Sequence, residues 1–419
     1  MPDTLSDTHP KDPPVTTTES PATLEFDHHA QHTSHNRDEV LALVREHPVF
    51  WTESYGGHWV VTSHELAKRV LRDYSVFSSR KTEDMKGGNT IPTVVGPRLI
   101  PAEADPPYHR ILRKILIPKF HKRAVDALAP ELETFISGVI DEAVTKDHFD
   151  VVHDIADRIP AGSMTMYLGF PEEQRVPFIR SVQAALNVMP YASDPEFAQS
   201  EAMQKGLAEF GNAVQVINDL IAARRSEPQD DLVSHLVNPD FELDDESVRW
   251  MTFTLLVGGA ENPAAMIGNS LLHLAQDTAL RSRLAADHSL IPQACEELLR
   301  QTSSAVSLAR NVLCDVEVGG VTMHAGDRVL VWLPGANRDH RAFERPEEVD
   351  IDRSSCPHIA FGDGPHVCIG AGLFRLWFEI MLREILVKMP NYTVDLDRAE
   401  RFDDASTMWG WRTMPARVS

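Results

Sequence analysis

The segment Phe361–Gly370, which reads FGDGPHVCIG, constrains this chain more than any other part of its sequence. Its glycines allow backbone shapes and close approaches that a side chain would block. The segment places Cys368 just before a predicted apolar-periodic helix at about residues 370–388. A cysteine at a helix start lies at the positive end of the helix dipole, which favours the thiolate and therefore metal binding. A lone cysteine is usually a structural residue, so the interpretation depends on the whole ten-residue pattern.

A dinucleotide-binding loop is the other interpretation of these glycines. The pair Gly362 and Gly364 lacks the third glycine of that motif and does not follow a convincing strand. The segment therefore favours a loop that presents a cysteine ligand.

Composition excludes several classes of partner. The chain has 419 residues, and 40 Lys and Arg against 62 Asp and Glu give it a formal charge of −22. That charge argues against nucleic acid or an anionic membrane as the main partner. No apolar run approaches the roughly 18 residues of a membrane helix, and no signal-peptide pattern is present, so we expect a cytoplasmic protein. The 4 cysteines form no CxxC pair and are expected to be free thiols or ligands.

The N-terminal part differs in composition from the rest of the chain. Residues 1–38 are predicted to be a flexible tail and a segment leading into the fold, because the first 24 or so are rich in Pro, Thr, Ser and Asp. Residues 39–419 are predicted to form a single catalytic domain, since no repeat or linker divides them. Four histidines near the tail are expected to lie in a solvated segment rather than a metal site: His28, His29, His32 and His35.

Hydrophobic periodicity predicts a mainly helical chain. Residues 123–143 have helical spacing with a break or fresh start at Pro130, and Asp245–Gln276 reads as a long, buried central helix. Strand signals are fewer: residues 58–62 are β-rich, and residues 316–323 read as a hairpin. We therefore predict a mainly α fold with small β-sheets, of the α+β class.

The ten-residue segment resembles the haem-binding loop of cytochromes P450, F-G-x-G-x-H-x-C-x-G, at every fixed position. The resemblance implies the P450 fold, with a long central I helix over haem b and Cys368 as the axial ligand of the haem iron. A second segment, Asp105–Arg113, resembles the start of the family's C helix. By resemblance, the remaining haem contacts are His109, Arg113, Arg310, His358, Phe361, His366 and Gly370.

The pair Glu297 and Arg300 fits the family's E-x-x-R motif, about 70 residues before the cysteine. On a helix these two side chains share a face, and Arg353 matches the third member of the family's ion network. The resemblance gives these three residues a structural role. The Ile291–Arg300 helix is also similar to that of the terpenoid-oxidising branch, which includes camphor and cineole monooxygenases.

The central helix departs from the family pattern A-G-x-(Asp/Glu)-Thr-Thr. Here Gly258, Gly259 and the acid Glu261 are kept, but Asn262 replaces the threonine that orders a proton-delivering water, and Pro263 follows. An Asn amide also donates and accepts hydrogen bonds, and cineole monooxygenase likewise has Asn here. Two alternatives stay open: the glycines and proline only set a kink, or the enzyme performs an oxidation that needs less proton delivery.

The resemblance also assigns a substrate pocket. Its lining would be apolar and suited to a small hydrophobic molecule, of the terpenoid or another secondary-metabolite kind. Arg98, nearby, is compatible with a substrate carboxylate, a haem propionate or solvent. The predicted lining residues are Val94, Val95, Leu99, Val257, Val306, Met408 and Trp409.

A basic cluster interrupts the acidic sequence and would complement an acidic ferredoxin: Arg113, Lys114, Lys119, Lys122 and Arg123. The expected activity is a monooxygenase that uses O2 and electrons from a ferredoxin and its NAD(P)H-dependent reductase, in a monomer. The alternatives are a biosynthetic P450 that catalyses coupling, desaturation or rearrangement, and a haem-thiolate gas or redox sensor.

Overall fold

The computed structural model of the protein describes residues 22–186, 188, 196–404 and 408–418. The helices in these residues are α1 (Gln31–His35), α2 (Arg37–Arg45), α3 (His64–Arg72), α4 (Tyr108–Phe120), α5 (Lys122–Asp126), α6 (Ala129–Val144), α7 (Arg158–Leu168), α8 (Glu172–Leu186), α9 (Glu201–Ser226), α10 (Leu232–Leu236), α11 (Asp245–Gln276), α12 (Thr278–Ala286), α13 (Ile291–Thr302), α14 (Leu333–Ala336) and α15 (Ala371–Lys388). The strands are β1 (Val49–Thr52), β2 (His58–Val61), β3 (Phe77–Ser78), β4 (His148–Asp150), β5 (Ser307–Val312), β6 (Val316–Val318), β7 (Val321–Met323), β8 (Arg328–Trp332), β9 (Thr393–Val394), β10 (Glu400–Arg401), β11 (Trp411–Thr413) and β12 (Pro415–Arg417).

Helix α11 is the central element of the helical part. The Asp244 side chain accepts the backbone N–H of Ser247 and so caps its first turn. Apolar residues occur all round the helix, as expected of a helix that is surrounded by protein. It packs against α7, α9, α13 and a short π-helix at Val151–Ala156, while α15 packs against α6 and α13.

The largest sheet lies beside the helices and has the strand order β1-β2-β8-β5-β3. Strands β2 and β8 are parallel, with Val60 opposite Leu330, and the other pairs are antiparallel. Both faces of this sheet are covered by apolar side chains. Strand β5 matters for the site because it carries Arg310.

The predicted mainly α fold with small β-sheets is confirmed. The central helix has the predicted bounds, and β6 and β7 form the predicted hairpin with the turn at Gly319 and Gly320. The helix predicted at residues 123–143 is divided into α5 and α6, because α6 begins anew with Pro130 in its first turn, where its missing N–H costs nothing.

The structure describes only part of the tail and entry segment predicted at residues 1–38. Residues 1–21 lie outside the described residues, but residues 22–38 are part of the fold. Leu24 donates its N–H to the carbonyl of Trp51 at 2.9 Å, and the Phe26 ring packs edge-on against Phe50. His28 is fully buried among apolar neighbours. The expectation that this residue lies in a solvated segment is therefore wrong.

Two absences concern only the residues that the structure describes. Among them, no group of three or more His, Cys, Asp and Glu side chains is arranged to hold a metal ion. No described helix is both long enough and apolar enough to cross a membrane.

Candidate active site

The loop before α15 presents Cys368 through a tightly constrained backbone. Gly364 has a φ of +68°, and a Cβ there would lie 2.7 Å from the carbonyl oxygen of Leu71. Only glycine therefore fits at this position. The backbone N–H of Cys368 donates to the carbonyl of Phe361 at 2.8 Å, which closes the loop directly before the helix.

The sulfur of Cys368 experiences opposing electrostatic effects. Burial raises the pKa of this thiol, whereas hydrogen bonds from the backbone N–H groups of Gly370 and Ala371 lower it. The positive charges of Arg113 and Arg375 lower the pKa further. The surroundings are therefore built to stabilise negative charge on the sulfur once a cation binds it.

Four predicted haem contacts meet near this cysteine. The rings of His109 and His366 lie 4.1 Å apart, and the charge of Arg310 acts on both. In the part of the chain that is described, His109 Nδ1 and His366 Nε2 have no hydrogen-bond partner although they are buried. Neither Arg310 nor Arg113 has a carboxylate ion-pair partner among those same residues: Arg113 Nη1 donates to the carbonyl of Val367 at 2.9 Å.

These groups are held as hydrogen-bond donors. Burial, together with the positive charge of Arg310, lowers the pKa of His366 to about 2, and burial lowers that of His109 to about 4. Burial also lowers the pKa of Arg310 to about 10, so its guanidinium stays charged at neutral pH. Two neutral imidazoles and two guanidinium groups without carboxylate partners are a donor set for an anionic ligand.

His358, which was predicted to contact a haem propionate, has partners within the protein. Its Nδ1 accepts the N–H of Ala360 at 3.1 Å, and its Nε2 lies 3.2 Å from Oε2 of Glu296. Both ring nitrogens therefore have partners within the protein, and the contact of His358 with a haem propionate stays a prediction.

The structure brings the three predicted structural residues together. Glu297 receives two hydrogen bonds from Arg300, at 2.9 and 3.1 Å, and one from Arg353 at 2.9 Å. The backbone N–H of Asp350 and the thiol of Cys356 also donate to this carboxylate. The fully buried charge of Arg300 is thereby matched, as burial requires.

The two glycines of the central helix have different surroundings. A Cβ at Gly259 would lie 2.5 Å from Cγ of Met164 on α7, so this glycine permits close helix packing. A Cβ at Gly258 would have no atom within 4 Å, so the helix faces open space there. A side chain added at Gly259 would therefore disturb the packing of the helices, whereas one added at Gly258 would not.

Two polar groups follow on the same helix. Burial and the negative charge of Asp157 raise the pKa of Glu261 to about 7. Asn262 has a buried carbonyl oxygen, Oδ1, without a hydrogen-bond partner in the described structure. Pro263 has no N–H to donate to the carbonyl of Gly259 four residues earlier, so the helix lacks one hydrogen bond at this point.

Comparison with known proteins decides the family. The sequence model of the family described as Cytochrome P450 matches residues 29–414. The chain belongs to the cytochrome P450 family. It is 31% identical over 423 residues to Cytochrome P450 107B1 of Saccharopolyspora erythraea, covering 96% of this chain and 99% of that protein. It is 33% identical over 342 residues to nocardicin C N-oxygenase of Nocardia uniformis subsp. tsuyamanensis, covering 80% and 82% of the two chains.

Solved structures agree with this assignment. A mutant of P450 EryK in complex with erythromycin B superposes with a TM-score of 0.81 at 29% identity, covering 93% of this chain and 97% of that chain. The protein is thus a P450 oxidoreductase of the monooxygenase family.

Membership of the P450 family implies a thiolate-bound haem, and the residues present fit that group. Cys368 would supply the thiolate. The unpartnered ring nitrogens of His109 and His366, with the guanidinium groups of Arg310 and Arg113, suit the two propionates of a haem. The fit rests on His109 Nδ1 and His366 Nε2, two buried ring nitrogens without a hydrogen-bond partner among the described residues.

Two residues predicted to line the substrate pocket of this P450 are buried in an apolar core. Val306 is fully buried in the apolar core beside the large sheet, and Trp409 is 1% exposed in the same core. The Trp409 indole N–H donates to the carbonyl of Ser34 at 2.9 Å. The place of both residues in the substrate pocket stays a prediction.

The other predicted lining residues have intermediate or exposed positions. Val94 and Val95 are exposed on the loop of residues 79–107, which joins the large sheet to α4. Leu99 and Val257 are half-buried at the edge of the main core. Met408 forms a β-bridge with Ala305.

The structure also gives Arg98 a partner. Its Nε donates to the backbone carbonyl of Lys81 at 3.0 Å. Lys81 in turn forms a buried ion pair with Glu103, with 3.1 Å between Nζ and Oε2 and both side chains 3% exposed. This pair ties the two ends of the 79–107 loop together.

The predicted basic surface has less unpaired charge than its sequence suggested. Lys114 and Arg123 are exposed. Lys119 and Lys122 each pair with an aspartate, at 3.5 and 2.8 Å, and Arg113 is half-buried against the cysteine loop. The exposed positive charge therefore comes mainly from the middle of α4 and from α5.

Sequence reasoning missed two charged groups near the cysteine, Glu296 and Arg375. It also missed the ion pair between Lys81 and Glu103 in the loop of residues 79–107. Glu296 stands beside the E-x-x-R glutamate, and Arg375 stands seven residues after Cys368. Lys81 and Glu103 carry no motif. Their roles follow from contacts between distant segments, which no local spacing in the sequence indicates.

Proposed function

We propose that this P450 binds haem b and inserts one oxygen atom from O2 into a small hydrophobic substrate, of the terpenoid or another secondary-metabolite class. A ferredoxin and its NAD(P)H-dependent reductase would supply the electrons. The observation that carries the proposal is the deeply placed acid Glu261 beside the unpartnered amide oxygen of Asn262 on the central helix. A sensor that only binds a gas needs no such acid.

The chain's own residues have distinct tasks in this proposal, and the haem supplies the oxygen activation. Glu261 keeps its proton up to about pH 7, since burial raises its pKa, and so it can act as a general acid. Asn262 Oδ1 can accept a hydrogen bond from a water molecule and hold it near that acid. Glu261 is the acid that the family pattern usually provides, and Asn262 takes the place of its threonine.

The substrate class rests on the half-buried apolar residues Leu99 and Val257 and on the names of the relatives. One relative is named for nocardicin C, and the solved EryK structure contains erythromycin B. Both are secondary metabolites, which supports that class over a simple nutrient.

An acidic electron carrier would dock beside the cysteine loop. Exposed Ile111 and Val367 provide an apolar centre, and Lys114 and Arg123 provide exposed positive charge near it. Apolar contact with a charged rim is typical of transient protein interfaces.

A second candidate is a biosynthetic P450 that performs coupling, desaturation or rearrangement. The replacement of the usual hydroxyl residue by Asn262, followed by Pro263, favours it, because an amide relays protons less readily than a hydroxyl does. Analysis of the products separates the two candidates.

The test begins with a spectral titration of the ferric protein against monoterpenes, larger terpenoids, aromatic acids and polyketide-like lactones. A saturable shift of the Soret band identifies the class of ligand. Turnover with reduced ferredoxin and isotopically labelled O2 should then give a product that carries one labelled oxygen atom. Products without labelled oxygen would support the second candidate. No oxygen consumption by the reduced, ligand-bound protein would overturn both in favour of a sensor.

A further inference from the structure

An ion pair lies close to the cysteine loop and belongs to none of the assigned sites. Arg375 on α15 donates to both carboxylate oxygens of Glu296 on α13, with 2.6 Å from Nε to Oε1 and 2.8 Å from Nη2 to Oε2. His358 Nε2 lies 3.2 Å from the same Oε2. Two parallel hydrogen bonds fix the guanidinium in one orientation, which a single contact would not do.

Arg375 reaches the cysteine through the ring of Phe361. Its guanidinium carbon lies 4.8 Å from the centre of that ring, and the carbonyl of Phe361 accepts the N–H of Cys368 at 2.8 Å. The positive charge of Arg375 therefore lies beside the loop that presents Cys368.

The other cation near the sulfur has no such carboxylate. Arg113 donates to the carbonyl of Val367, so its charge is not neutralised by an acid among the described residues. The positive charge of Arg375, by contrast, is opposed by Glu296. The sulfur therefore experiences one uncompensated and one compensated cation.

We propose that Glu296 is a positioning residue that sets the reduction potential of the thiolate-bound haem by opposing the charge of Arg375 and fixing its orientation. The inference rests on the haem-thiolate site of the proposed function. Reduction of ferric iron adds one negative charge to the centre, so a nearby positive charge favours the reduced state. A glutamate that opposes this cation holds the potential down.

The experiment is a spectroelectrochemical titration of the haem-loaded protein without substrate or electron carrier. Glu296→Gln removes the opposing charge and should favour reduction about tenfold, which corresponds to about 59 mV for one electron. Arg375→Gln should shift the potential in the opposite direction. The double variant, which has neither charge, should lie between the two single variants.

Glu379→Gln is the matched control. Glu379 also pairs with an arginine on α15, at 2.7 Å from Arg383, and that pair has similar exposure. Glu379 lies farther along α15 from Cys368. The haem reduction potential of the Glu379→Gln variant should therefore equal that of the wild type. The spectrum of the reduced carbon monoxide complex reports whether each variant keeps its thiolate ligand.

Equal potentials in Glu296→Gln, Arg375→Gln and the Glu379→Gln control would overturn the proposal. If Glu296→Gln does not bind haem, the potential of Arg375→Gln alone tests the proposal. The proposal predicts a lower potential for this variant, so an unchanged or raised potential would contradict it. Failure of the wild type to oxygenate any substrate would count against the proposed function only, since these potentials are measured without turnover.

Discussion

The ion pair between Lys81 and Glu103 gives the sharpest stability prediction. Both side chains are 3% exposed, and the Lys81 ammonium also donates to the carbonyls of Val94 and Pro97, at 3.3 and 2.9 Å. The Glu103 carboxylate accepts the N–H of Leu99 at 2.9 Å. The change Glu103→Gln keeps the shape of this side chain and leaves the lysine buried without a counter-charge.

The expected cost follows from that burial. Removing one partner of a buried ion pair costs about 3–5 kcal/mol, because the remaining charge stays out of water. Unfolding entropy is about 2.1 cal/mol/K per residue, so a chain of 419 residues should lose about 3–6 °C of melting temperature. The loop of residues 79–107, which the pair closes, should also become more sensitive to proteases than the rest of the protein.

Thermal unfolding followed by circular dichroism, with limited proteolysis of the loop, measures both effects. The pair Asp84 and Lys86 is the control, since it lies in the same loop at 2.8 Å but is exposed. Asp84→Asn should leave the melting temperature unchanged. The double change Lys81→Met with Glu103→Leu should recover most of the loss, because no unpaired charge remains. A Glu103→Gln protein with the same melting temperature as the wild type would refute the reasoning.

Three further predictions concern the central helix. Turnover should fall as the pH rises through about 7, where Glu261 loses its proton, and Glu261→Gln should abolish this inflection in a pH–rate profile. Asn262→Ala should raise hydrogen peroxide release per NAD(P)H consumed; unchanged coupling would remove this amide from the mechanism. Gly259→Val should destabilise the protein by about 1–3 kcal/mol in chemical denaturation, since its Cβ would meet Met164 at 2.5 Å, whereas Gly258→Ala should not.

Much of the fold was predictable because its signals are local. The central helix at Asp245–Gln276 has an Asp cap before a long apolar run, and the hairpin at residues 316–323 has two glycines between short apolar runs. The contacts of the N-terminal segment were not predicted, because composition alone was used there. Phe26 belongs to the core, and nothing in its immediate neighbours in the sequence indicates which distant apolar surface it contacts.

The site was predictable where residue type and register define the chemistry. Cys368 and the basic groups His109 and Arg310 could be named from motifs, since a thiolate ligand and propionate donors need those side chains. The partners of polar groups could not be named. His358 was also matched to a propionate contact, yet its Nε2 lies 3.2 Å from Oε2 of Glu296 on α13, and only the tertiary structure determines which acceptor a histidine reaches.

The charged groups near the cysteine loop and those beside the central helix differ in sign. Near the cysteine loop the exposed charge is basic, at Lys114 and Arg123, which suits the arrival of electrons on an acidic carrier. Beside the central helix two carboxyl groups interact: the charge of Asp157 acts on Glu261, and the Asp157 carboxylate lies 3.4 Å from the exposed imidazole of His153. In the proposed function, electrons and protons would therefore reach the haem from chemically different surfaces. A substitution on the basic surface should change the supply of electrons but not of protons, and a substitution among the carboxyl groups should do the reverse.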